Sequence, residues 1–349
     1  MHHRIFITGG AGFIGSNFIR YLMRTHLDTA ILNYDKLTYA GNLKNLEDIQ
    51  AGYDYTFVKG DICDQEAVFQ EFHRFAPDIV VNFAAESHVD RSIIDSSEFI
   101  RTNIFGVKVL LDAAMKYGAM KFIQISTDEV YGSLGPEGSF AESSPLNPRS
   151  PYSASKAGAD FLARAYFSTY GLPVTITRSS NNYGPYQFPE KLIPLTILNC
   201  LQKKQIPVYG DGLNIRDWIH VDDHCAAIDA VMEKGLAGEI YNVGAGNELT
   251  NISVVKSIIR RVSALHPGRG ISEDLITHVE DRPGHDRRYA IDSARIRRDL
   301  SWRPAIGFEE GLSRTIRWYL DHPDWVSSVL NRDYLAYYEM NYGARKKIR

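Results

Sequence analysis

The chain has 349 residues, of which 44% are hydrophobic, and this length is sufficient for one large core or two unequal ones. A formal net charge of -3 at pH 7 and a pI near 6.4 predict neither a nucleic-acid-binding nor a membrane-binding surface. The three cysteines (Cys63, Cys200 and Cys225) lack C-x-x-C spacing, so neither a disulfide framework nor a metal site is expected. No apolar run approaches the roughly 20 residues of a membrane span, and the N-terminus leads straight into a strand, so we expect a cytoplasmic protein.

Short β-branched segments alternate with helical periods through the first half of the chain. The predicted strands cover residues 4–8, 30–34, 55–59, 78–83, 121–126 and 174–178. The first predicted helix ends near residue 24, and the others lie near 65–75, 98–117 and 152–170. Such alternation implies right-handed crossovers and predicts an α/β fold with a doubly wound parallel sheet covered on both faces. Ligands of such sheets bind at the carboxyl ends of the strands.

The alternation of strands and helices does not continue in the second half of the chain. Residues 180–217 are rich in Asn, Pro, Gly and Tyr, and residues 265–290 carry Pro, Gly, His and many charges. A further strand is predicted at 240–243, close to the main sheet. We therefore predict a nucleotide-binding domain and a smaller C-terminal substrate-binding lobe, with boundaries at 1–179 plus about 218–248 for the former and at 180–217 plus 249–349 for the latter.

A glycine-rich segment, Gly9 to Gly15, follows the first predicted strand and opens the first helix. Gly10, Gly12 and Gly15 satisfy the pattern G-x-G-x-x-G, which permits a tight turn, close approach of the backbone to a pyrophosphate and close helix–strand packing. Asp35 closes the second strand, where a carboxylate hydrogen-bonds the adenosine ribose and repels a 2′-phosphate. The pattern predicts a Rossmann domain that binds NAD rather than NADP. The alternative is that Asp35 is only a turn residue.

Further cofactor contacts are predicted after the third and fourth strands. Asp61 and Ile62 are placed to flank the adenine, although Asp61 is equally suited to cap the next helix. Ala84 and Ala85 are small enough to let the middle of the cofactor approach the backbone. His88, three residues later, is either a ligand contact or an ordinary loop histidine.

Tyr152 and Lys156 are four residues apart, so on a helix the ammonium lies beside the phenol. A nearby positive charge favours the phenolate and lowers a pKa that starts near ~10, which predicts a base for removing a hydroxyl proton. Thr127, Asp128 and Glu129 end the fifth strand and add an acid and a second base. Oxidation needs only the tyrosine, so the acid pair predicts elimination of water as well. The alternative is that both acids cap a loop or form salt bridges.

These motifs resemble those of the extended short-chain dehydrogenase/reductase family. Within it, the segments TDEVYG (127–132), SHVDRS (87–92) and DRPGHDRRYAID (281–292) are similar to dTDP-glucose 4,6-dehydratases, and the similarity runs over about residues 4–320. Related 4-epimerases typically have small residues in place of Asp128 and Glu129, and decarboxylases commonly place Ser before the Glu. A UDP-glucose 4,6-dehydratase and a nucleotide-sugar 4-epimerase remain alternatives, as does a non-catalytic NAD-sensing regulator, which would be expected to lack these residues.

The resemblance implies a role for each side chain. Tyr152, assisted by Lys156, removes the proton of the sugar 4-hydroxyl while NAD accepts a hydride from carbon 4, and Thr127 binds the 4-oxygen. Glu129 then deprotonates carbon 5, and Asp128 protonates the departing 6-hydroxyl. Return of the hydride to carbon 6 yields dTDP-4-keto-6-deoxyglucose, a precursor of deoxysugars such as rhamnose.

The resemblance also implies the ligand contacts and a homodimer formed through helices 98–117 and 152–170. Cofactor contacts are expected at Gly9, Gly12, Phe13, Ile14, Gly15, Asp35, Lys36, Thr38, Asp61, Ile62, Ala84, Ala85, Ser87, Thr102, Tyr152 and Lys156. Nucleotide-sugar contacts are expected at Ser87, His88, Thr127, Asn181, Lys191, Leu192, Pro207, Tyr209, Arg216, Asn251, Arg282, His285 and Tyr289. Two arginines, Arg216 and Arg282, can clamp a diphosphate, with surface salt bridges as their alternative role.

Overall fold

The computed structural model describes residues 3–49 and 53–330, together with Tyr334, Tyr338, Glu339 and Tyr342. The strands are β1 Arg4–Thr8, β2 Ala30–Asp35, β3 Tyr55–Lys59, β4 Ile79–Asn82, β5 Lys121–Thr127, β6 Val174–Ser179, β7 Asn181–Tyr183, β8 Ile206–Tyr209, β9 Ile215–His220, β10 Ile240–Val243, β11 Glu248–Thr250 and β12 Ile276–Val279. The α-helices are α1 Phe13–Thr25, α2 Gln65–Phe75, α3 Val89–Ile94, α4 Ser97–Ile100, α5 Val107–Tyr117, α6 Pro151–Tyr170, α7 Leu192–Gln202, α8 Val221–Lys234, α9 Asn251–Leu265, α10 Ala294–Leu300, α11 Phe308–Asp321 and α12 Pro323–Val329.

Seven parallel strands form the central sheet in the order β10-β6-β5-β4-β1-β2-β3. Every residue of β2, β4 and β6 is buried, as expected for strands covered on both faces. Helices α1, α8 and α10 pack on one face, and α2, α5 and α6 pack on the other. The predicted doubly wound α/β fold is confirmed. The strand order reverses between β1 and β4, which is where such sheets bind ligands.

Two small sheets and a third core lie outside the central sheet. Strands β11, β9 and β7 form one sheet, and β12 pairs with β8 in the other. Helices α7, α9, α11 and α12 enclose an apolar core of their own. The chain returns to the central sheet at β10, which pairs with β6. The division into two lobes remains a prediction, and most of its stretch beyond residue 330 lies outside the described residues.

The predicted helix over 98–117 is wrong in one respect, because a π-helical segment, Arg101–Gly106, separates α4 from α5. The buried Asn103 side chain in this segment accepts a hydrogen bond from the Glu86 backbone N–H (2.9 Å) and donates one to Ser155 Oγ (2.8 Å). The wider turn therefore directs an amide to the loop after β4. Such π-helical turns occur frequently at functional sites. Among the described residues, no helix is long and apolar enough to cross a membrane.

Candidate active site

One cavity lies at the carboxyl ends of β1, β2, β4, β5 and β6. Every residue that the sequence predicted to contact the cofactor lines it. The predicted catalytic residues Thr127, Asp128, Glu129, Tyr152 and Lys156 line the same cavity. The fold therefore brings together side chains that are up to about half the chain apart, and it places acid–base groups beside the glycine-rich loop.

The glycine-rich loop is packed so tightly that an added Cβ would clash at three of its glycines, with side chains at Gly10 and with backbone atoms at Gly9 and Gly15. Gly9 has φ +68°, and an added Cβ would lie 2.6 Å from the Ala84 backbone nitrogen. At Gly15 a Cβ would lie 2.4 Å from the Gly9 carbonyl oxygen. Gly12 differs, because its Cβ would meet only that oxygen at 3.2 Å, and Gly12 begins α1 without a side-chain cap. A smooth loop that leads into an uncapped helix N-terminus fits a pyrophosphate.

Asp35 ends β2 with its carboxylate buried at the edge of the cavity. Its Oδ2 accepts a hydrogen bond from the Ala11 N–H (2.9 Å), and its Oδ1 accepts one from the Leu37 N–H (2.8 Å). Burial raises the pKa of Asp35, and these two hydrogen bonds oppose that rise. Because each carboxylate oxygen has a second lone pair, both can still accept ribose hydroxyls. The residues present thus fit NAD.

Lys36 and Asp61 form an ion pair at the wall of the cavity, with 2.9 Å between Lys36 Nζ and Asp61 Oδ2. The hydrogen bond to Asp61 raises the pKa of Lys36. The alternative role for Asp61, as cap of the next helix, falls instead to Asp64, whose side chain accepts a hydrogen bond from the Ala67 N–H. Asp61 therefore remains available at the position expected for an adenine contact.

Lys156 lies on α6 one turn after Tyr152, and its ammonium is buried. Its Nζ donates a hydrogen bond to the Ile125 carbonyl oxygen at 2.6 Å. Burial lowers the pKa of Lys156 to about 8, and the charge of Asp160, one turn further along α6, opposes this shift. The ammonium is therefore positioned by the backbone of β5.

The surroundings of Tyr152 act on its pKa in the direction opposite to our prediction. Burial raises this pKa, and the negative charges of Glu129 and Asp128 raise it further, whereas a hydrogen bond with Thr127 lowers it. The predicted effect of Lys156 is thus outweighed, because the tyrosine shares a buried site with two acids.

Asp128 and Glu129 begin a 3₁₀ turn, Asp128–Tyr131, directly after β5, and the Thr127 hydroxyl caps this turn by accepting the Glu129 N–H (3.3 Å). Neither carboxylate forms an ion pair within 4.0 Å with a described residue, which disfavours the salt-bridge alternative. Burial first, and then the charge of Glu129, raise the pKa of Asp128 well above its ordinary value. Asp128 Oδ2 is buried without a hydrogen-bond partner among the described residues. These surroundings favour the protonated form of Asp128.

Glu129 differs from Asp128 in its electrostatic surroundings. Burial raises its pKa, but the positive charges of Arg282, Arg216 and Lys191 all lower it. Burial thus raises the pKa of both carboxyl groups, and the three cations oppose this rise at Glu129.

Four of the predicted substrate contacts, Ser87, Thr127, Asn181 and Lys191, line the cavity. Lys191 Nζ donates a hydrogen bond to the Ser87 carbonyl oxygen (3.0 Å), which joins the loop after β4 to the start of α7. Asn181 Oδ1 is buried without a partner among the described residues. These groups are available to a ligand that lies beside the cofactor.

Arg216 and Tyr289 belong to a second group, outside the lining of the cavity. The Arg216 guanidinium lies 4.2 Å from the centroid of the Tyr289 ring and donates to the Asp286 carbonyl oxygen at 2.9 Å. Tyr289 Oη donates to Asp286 Oδ2 at 2.6 Å. Arg216 is 5% exposed, so it is not the surface salt-bridge partner considered as its alternative role.

Arg282 and Tyr209 contact Asp90, and His285 packs against Tyr209. Arg282 Nη1 lies 3.4 Å from Asp90 Oδ1, and Tyr209 Oη donates to Asp90 Oδ2 at 2.8 Å. The rings of Tyr209 and His285 meet edge to face at 6.0 Å. Burial lowers the pKa of His285 to about 4, so this imidazole is neutral at pH 7.

Three other predicted substrate contacts lie at or near the first residue of a helix or strand. Leu192 begins α7, Pro207 lies in β8, and Asn251 begins α9. None of the three lines the cavity. His88 precedes α3, is buried, and its Nε2 lies 3.6 Å from Glu190 Oε2.

Glu190 is a cavity residue that sequence reasoning missed. It is buried, accepts a hydrogen bond from Tyr39 Oη (3.3 Å), and has a pKa raised to about 7, chiefly by burial. Gln187 also lines the cavity without having been predicted, whereas Asn182 belongs to the segment after the sixth strand whose amides were expected to bridge cofactor and sugar. A single Glu or amide residue in an irregular loop carries no motif; the only available signal was the position of Glu190 directly before Lys191.

Comparisons with known proteins identify the family of this chain. A sequence profile of the family described as GDP-mannose 4,6 dehydratase matches residues 6–315. The dTDP-glucose 4,6-dehydratase of Neisseria meningitidis serogroup B is 52% identical, over 95% of this chain and 97% of that protein. The enzyme of the same name from Salmonella typhimurium is 48% identical, over 98% of this chain and 100% of that protein.

The structural comparison agrees. DesIV from Streptomyces venezuelae, a dTDP-glucose 4,6-dehydratase solved with NAD bound, superposes with a TM-score of 0.89 at 48% identity, over 93% of this chain and 99% of that chain. A UDP-glucose 4-epimerase from Thermotoga maritima shares the fold with a TM-score of 0.83 but only 29% identity, over 92% of this chain and 99% of that chain. The chain therefore belongs to the dTDP-glucose 4,6-dehydratase family of extended short-chain dehydrogenase/reductases.

Proposed function

We propose that the protein is an NAD-dependent hydro-lyase that converts dTDP-glucose into dTDP-4-keto-6-deoxyglucose, for deoxysugar biosynthesis. The observation that carries this proposal is the adjacent pair Asp128 and Glu129, which line one cavity with Tyr152 and whose pKa values are both raised by burial, against the charges of nearby cations at Glu129. Relatives named dTDP-glucose 4,6-dehydratase support the choice of sugar nucleotide.

NAD supplies a hydride acceptor and donor when it is bound against the glycine-rich loop. Asp35 holds the adenosine ribose, and the first turn of α1 faces the pyrophosphate. Tyr152 removes the proton of the sugar 4-hydroxyl, and Thr127 positions the 4-oxygen. Since burial and the two acids raise the pKa of Tyr152, positive charge is needed to favour the phenolate, and Lys156 together with the oxidised cofactor, when bound, would supply it.

The acid pair completes the dehydration. Oxidation at carbon 4 acidifies the hydrogen on carbon 5, and Glu129 takes that proton. Three nearby cations favour the ionised form of Glu129 by opposing the rise in its pKa that burial causes. Asp128, kept neutral by burial, gives its proton to the departing 6-hydroxyl, which leaves as water. Each proton transfer is expected to contribute about 10²–10⁴-fold in rate.

The base of the nucleotide separates this proposal from its nearest alternative. Thymine and uracil differ by one methyl group, which is worth only about 1–3 kcal/mol in a binding pocket. A UDP-glucose 4,6-dehydratase is therefore the second candidate. The 4-epimerase is disfavoured by the acid pair, because epimerisation requires no proton transfer at carbons 5 and 6.

Incubation of the enzyme with dTDP-glucose and, separately, with UDP-glucose tests the proposal. We expect the 4-keto-6-deoxy product from dTDP-glucose without net consumption of NAD, because the cofactor is regenerated in each cycle. Stoichiometric loss of NAD during steady turnover would instead favour a simple dehydrogenase, and formation of a galactose nucleotide would favour the epimerase.

We also propose that the protein is a homodimer located in the cytoplasm. Ile100 and Phe105 lie on the predicted interface helix 98–117 and are 54% and 47% exposed, and Phe161 on α6 is 56% exposed. Helices α4 and α6 are in contact, so these side chains belong to one region of the surface. Phe161→Glu should convert the dimer to a monomer in sedimentation velocity, and a wild-type monomer would contradict this part of the proposal.

A further inference from the structure

We propose that α12 is a latch on the cofactor site. In this latch Trp325 on α12 and Asn45 near the glycine-rich loop are positioning residues that hold the loop and slow the release of NAD. The inference rests on the proposed function in one respect, because it takes NAD as the ligand of this cleft. It assigns a role to the C-terminal stretch, for which the sequence suggested none.

Two hydrogen bonds connect α12 to the glycine-rich loop through one amide. Trp325 Nε1 donates to Asn45 Oδ1 at 2.7 Å, and Asn45 Nδ2 donates to the Ala11 carbonyl oxygen at 2.8 Å. Asn45 is 2% exposed, and Trp325 is 7% exposed. The oxygen and the nitrogen of the Asn45 amide thus both form hydrogen bonds inside the protein, where an unpaired polar group is costly.

The peptide group that Asn45 holds belongs to the pyrophosphate loop. The Ala11 carbonyl is covalently part of the peptide that includes the Gly12 nitrogen, and it also accepts a hydrogen bond from the Asn42 N–H (3.0 Å). On its other side, Ala11 donates its N–H to Asp35 Oδ2 at 2.9 Å. Asn45 and Asp35 therefore fix the loop from opposite sides, and Asp35 is also the predicted ribose ligand.

The other end of the latch is anchored in the second lobe. The Trp325 ring packs against Trp318 and Tyr319 of α11, with centroids 4.9 Å and 6.0 Å apart, and against Tyr186 at 5.9 Å. Tyr186 also lies under the Arg20 guanidinium of α1, 4.0 Å from the ring centroid. The position of the Trp325 indole is therefore set by the core of the second lobe.

A slow release of NAD suits this chemistry. The proposed cycle regenerates the cofactor in place, so an enzyme that keeps NAD between turnovers needs no added cofactor. Removing the indole N–H leaves Asn45 Oδ1 without its donor, so the amide is free to turn away from Ala11 and the loop loses one of its restraints. Packing of the second lobe and retention of NAD are thereby coupled.

The test uses Trp325→Phe in the full-length holoenzyme, with Trp302→Phe as its matched control. Trp302 is equally buried, at 6% exposure, and its Nε1 donates to the Asp223 carbonyl oxygen at 3.1 Å, far in sequence from the glycine-rich loop. Both variants lose one indole hydrogen bond, so both should lose similar thermal stability. We expect NAD to dissociate about tenfold faster from Trp325→Phe and at the wild-type rate from Trp302→Phe, since one hydrogen bond is worth about this factor.

Asn45→Asp separates the latch from general destabilisation. It keeps the acceptor for Trp325 but replaces the donor to Ala11 with an oxygen that repels the carbonyl, so NAD should again dissociate faster although α12 remains docked. Equal rates of NAD release from the wild type, Trp325→Phe and Asn45→Asp would overturn the latch alone. A wild-type protein that binds no NAD would overturn the proposed function together with the latch.

Discussion

The two halves of the cleft recognise their ligands with different kinds of chemical group. The cofactor half is lined by backbone and small residues, such as Gly9, Gly12 and Ala84, with Asp35 as its buried carboxylate. The proposed substrate half has Lys191 in the lining of the cavity and Arg216 and Arg282 outside that lining, and the charges of all three act on Glu129. We therefore expect recognition in the first half to depend on shape, and recognition in the second to depend on charge and to respond to salt and pH.

Tyr152 stands where the two halves meet, and its replacement should have the largest effect. Tyr152→Phe removes the base and keeps the ring, so we expect reduction of bound NAD to slow by about 10²–10⁴-fold while nucleotide-sugar affinity changes little. Single-turnover absorbance of NADH measures the first quantity, and titration calorimetry measures the second. Reduction at the wild-type rate would show that another group is the oxidation base.

In the substrate half, loss of one arginine should weaken binding in a charge-dependent way. Arg216→Gln removes a charge-assisted contact and should raise KM for dTDP-glucose by about 10–100-fold, with a smaller change in kcat. Arg287→Gln is the control, because Arg287 is an exposed arginine nearby that pairs with Asp211. If both variants have the wild-type KM, Arg216 does not bind the diphosphate.

In the cofactor half, Asp35→Ala should weaken NAD binding by about tenfold and relax discrimination against NADP, because the carboxylate both binds the ribose and repels a 2′-phosphate. Asp64→Ala, which removes the cap of α2, serves as a control for stability alone. The ratio of NAD to NADP affinities is the measurement. An unchanged ratio would show that Asp35 does not contact the ribose and only holds the glycine-rich loop, through its hydrogen bond with the Ala11 N–H.

The smallest effect concerns stability rather than rate, and it involves the buried Lys156. The pKa of Lys156 is about 8 in the folded protein and 10.5 ordinarily. Burying the charged ammonium therefore lowers the free energy of unfolding by its full amount below pH 8, and this cost decreases as pH rises toward 10.5. Lys156→Met should therefore be more stable than the wild type at pH 7, by up to about 3 kcal/mol, and this advantage should shrink at pH 9.5. Urea unfolding of nucleotide-free protein at both pH values measures the difference, and an advantage that grows with pH would contradict the assignment.

The cofactor half was predictable because its determinants are local in sequence. Each predicted strand is followed at once by the residues that line the cavity, as with Gly9 after β1, Asp35 at the end of β2 and Ala84 after β4. A parallel sheet brings these strand ends to one edge without further information. The π-helical turn that carries Asn103 was missed, because no local pattern distinguishes it from a regular helix.

The substrate half was less predictable because its contacts join segments far apart in the chain. Arg216 and Tyr289 were named only through family resemblance, and their mutual packing across 73 positions follows from no local pattern. The electrostatics of Tyr152 were also missed. Helical spacing predicted the proximity of Lys156, but the net pKa shift depends on burial and on the acid pair, which only the folded structure brings together.

The central claim, that Asp128 and Glu129 perform elimination after oxidation, is tested most directly by comparing Asp128→Asn with Glu129→Gln. With dTDP-glucose, both variants should still oxidise carbon 4 but lose water slowly, so NADH absorbance should accumulate on the enzyme. Glu129→Gln should also slow exchange of the carbon-5 hydrogen with solvent deuterium, whereas Asp128→Asn should preserve that exchange, because it needs only a base. Dehydration at the wild-type rate by both variants would contradict the account and make the pair a structural feature of the turn after β5.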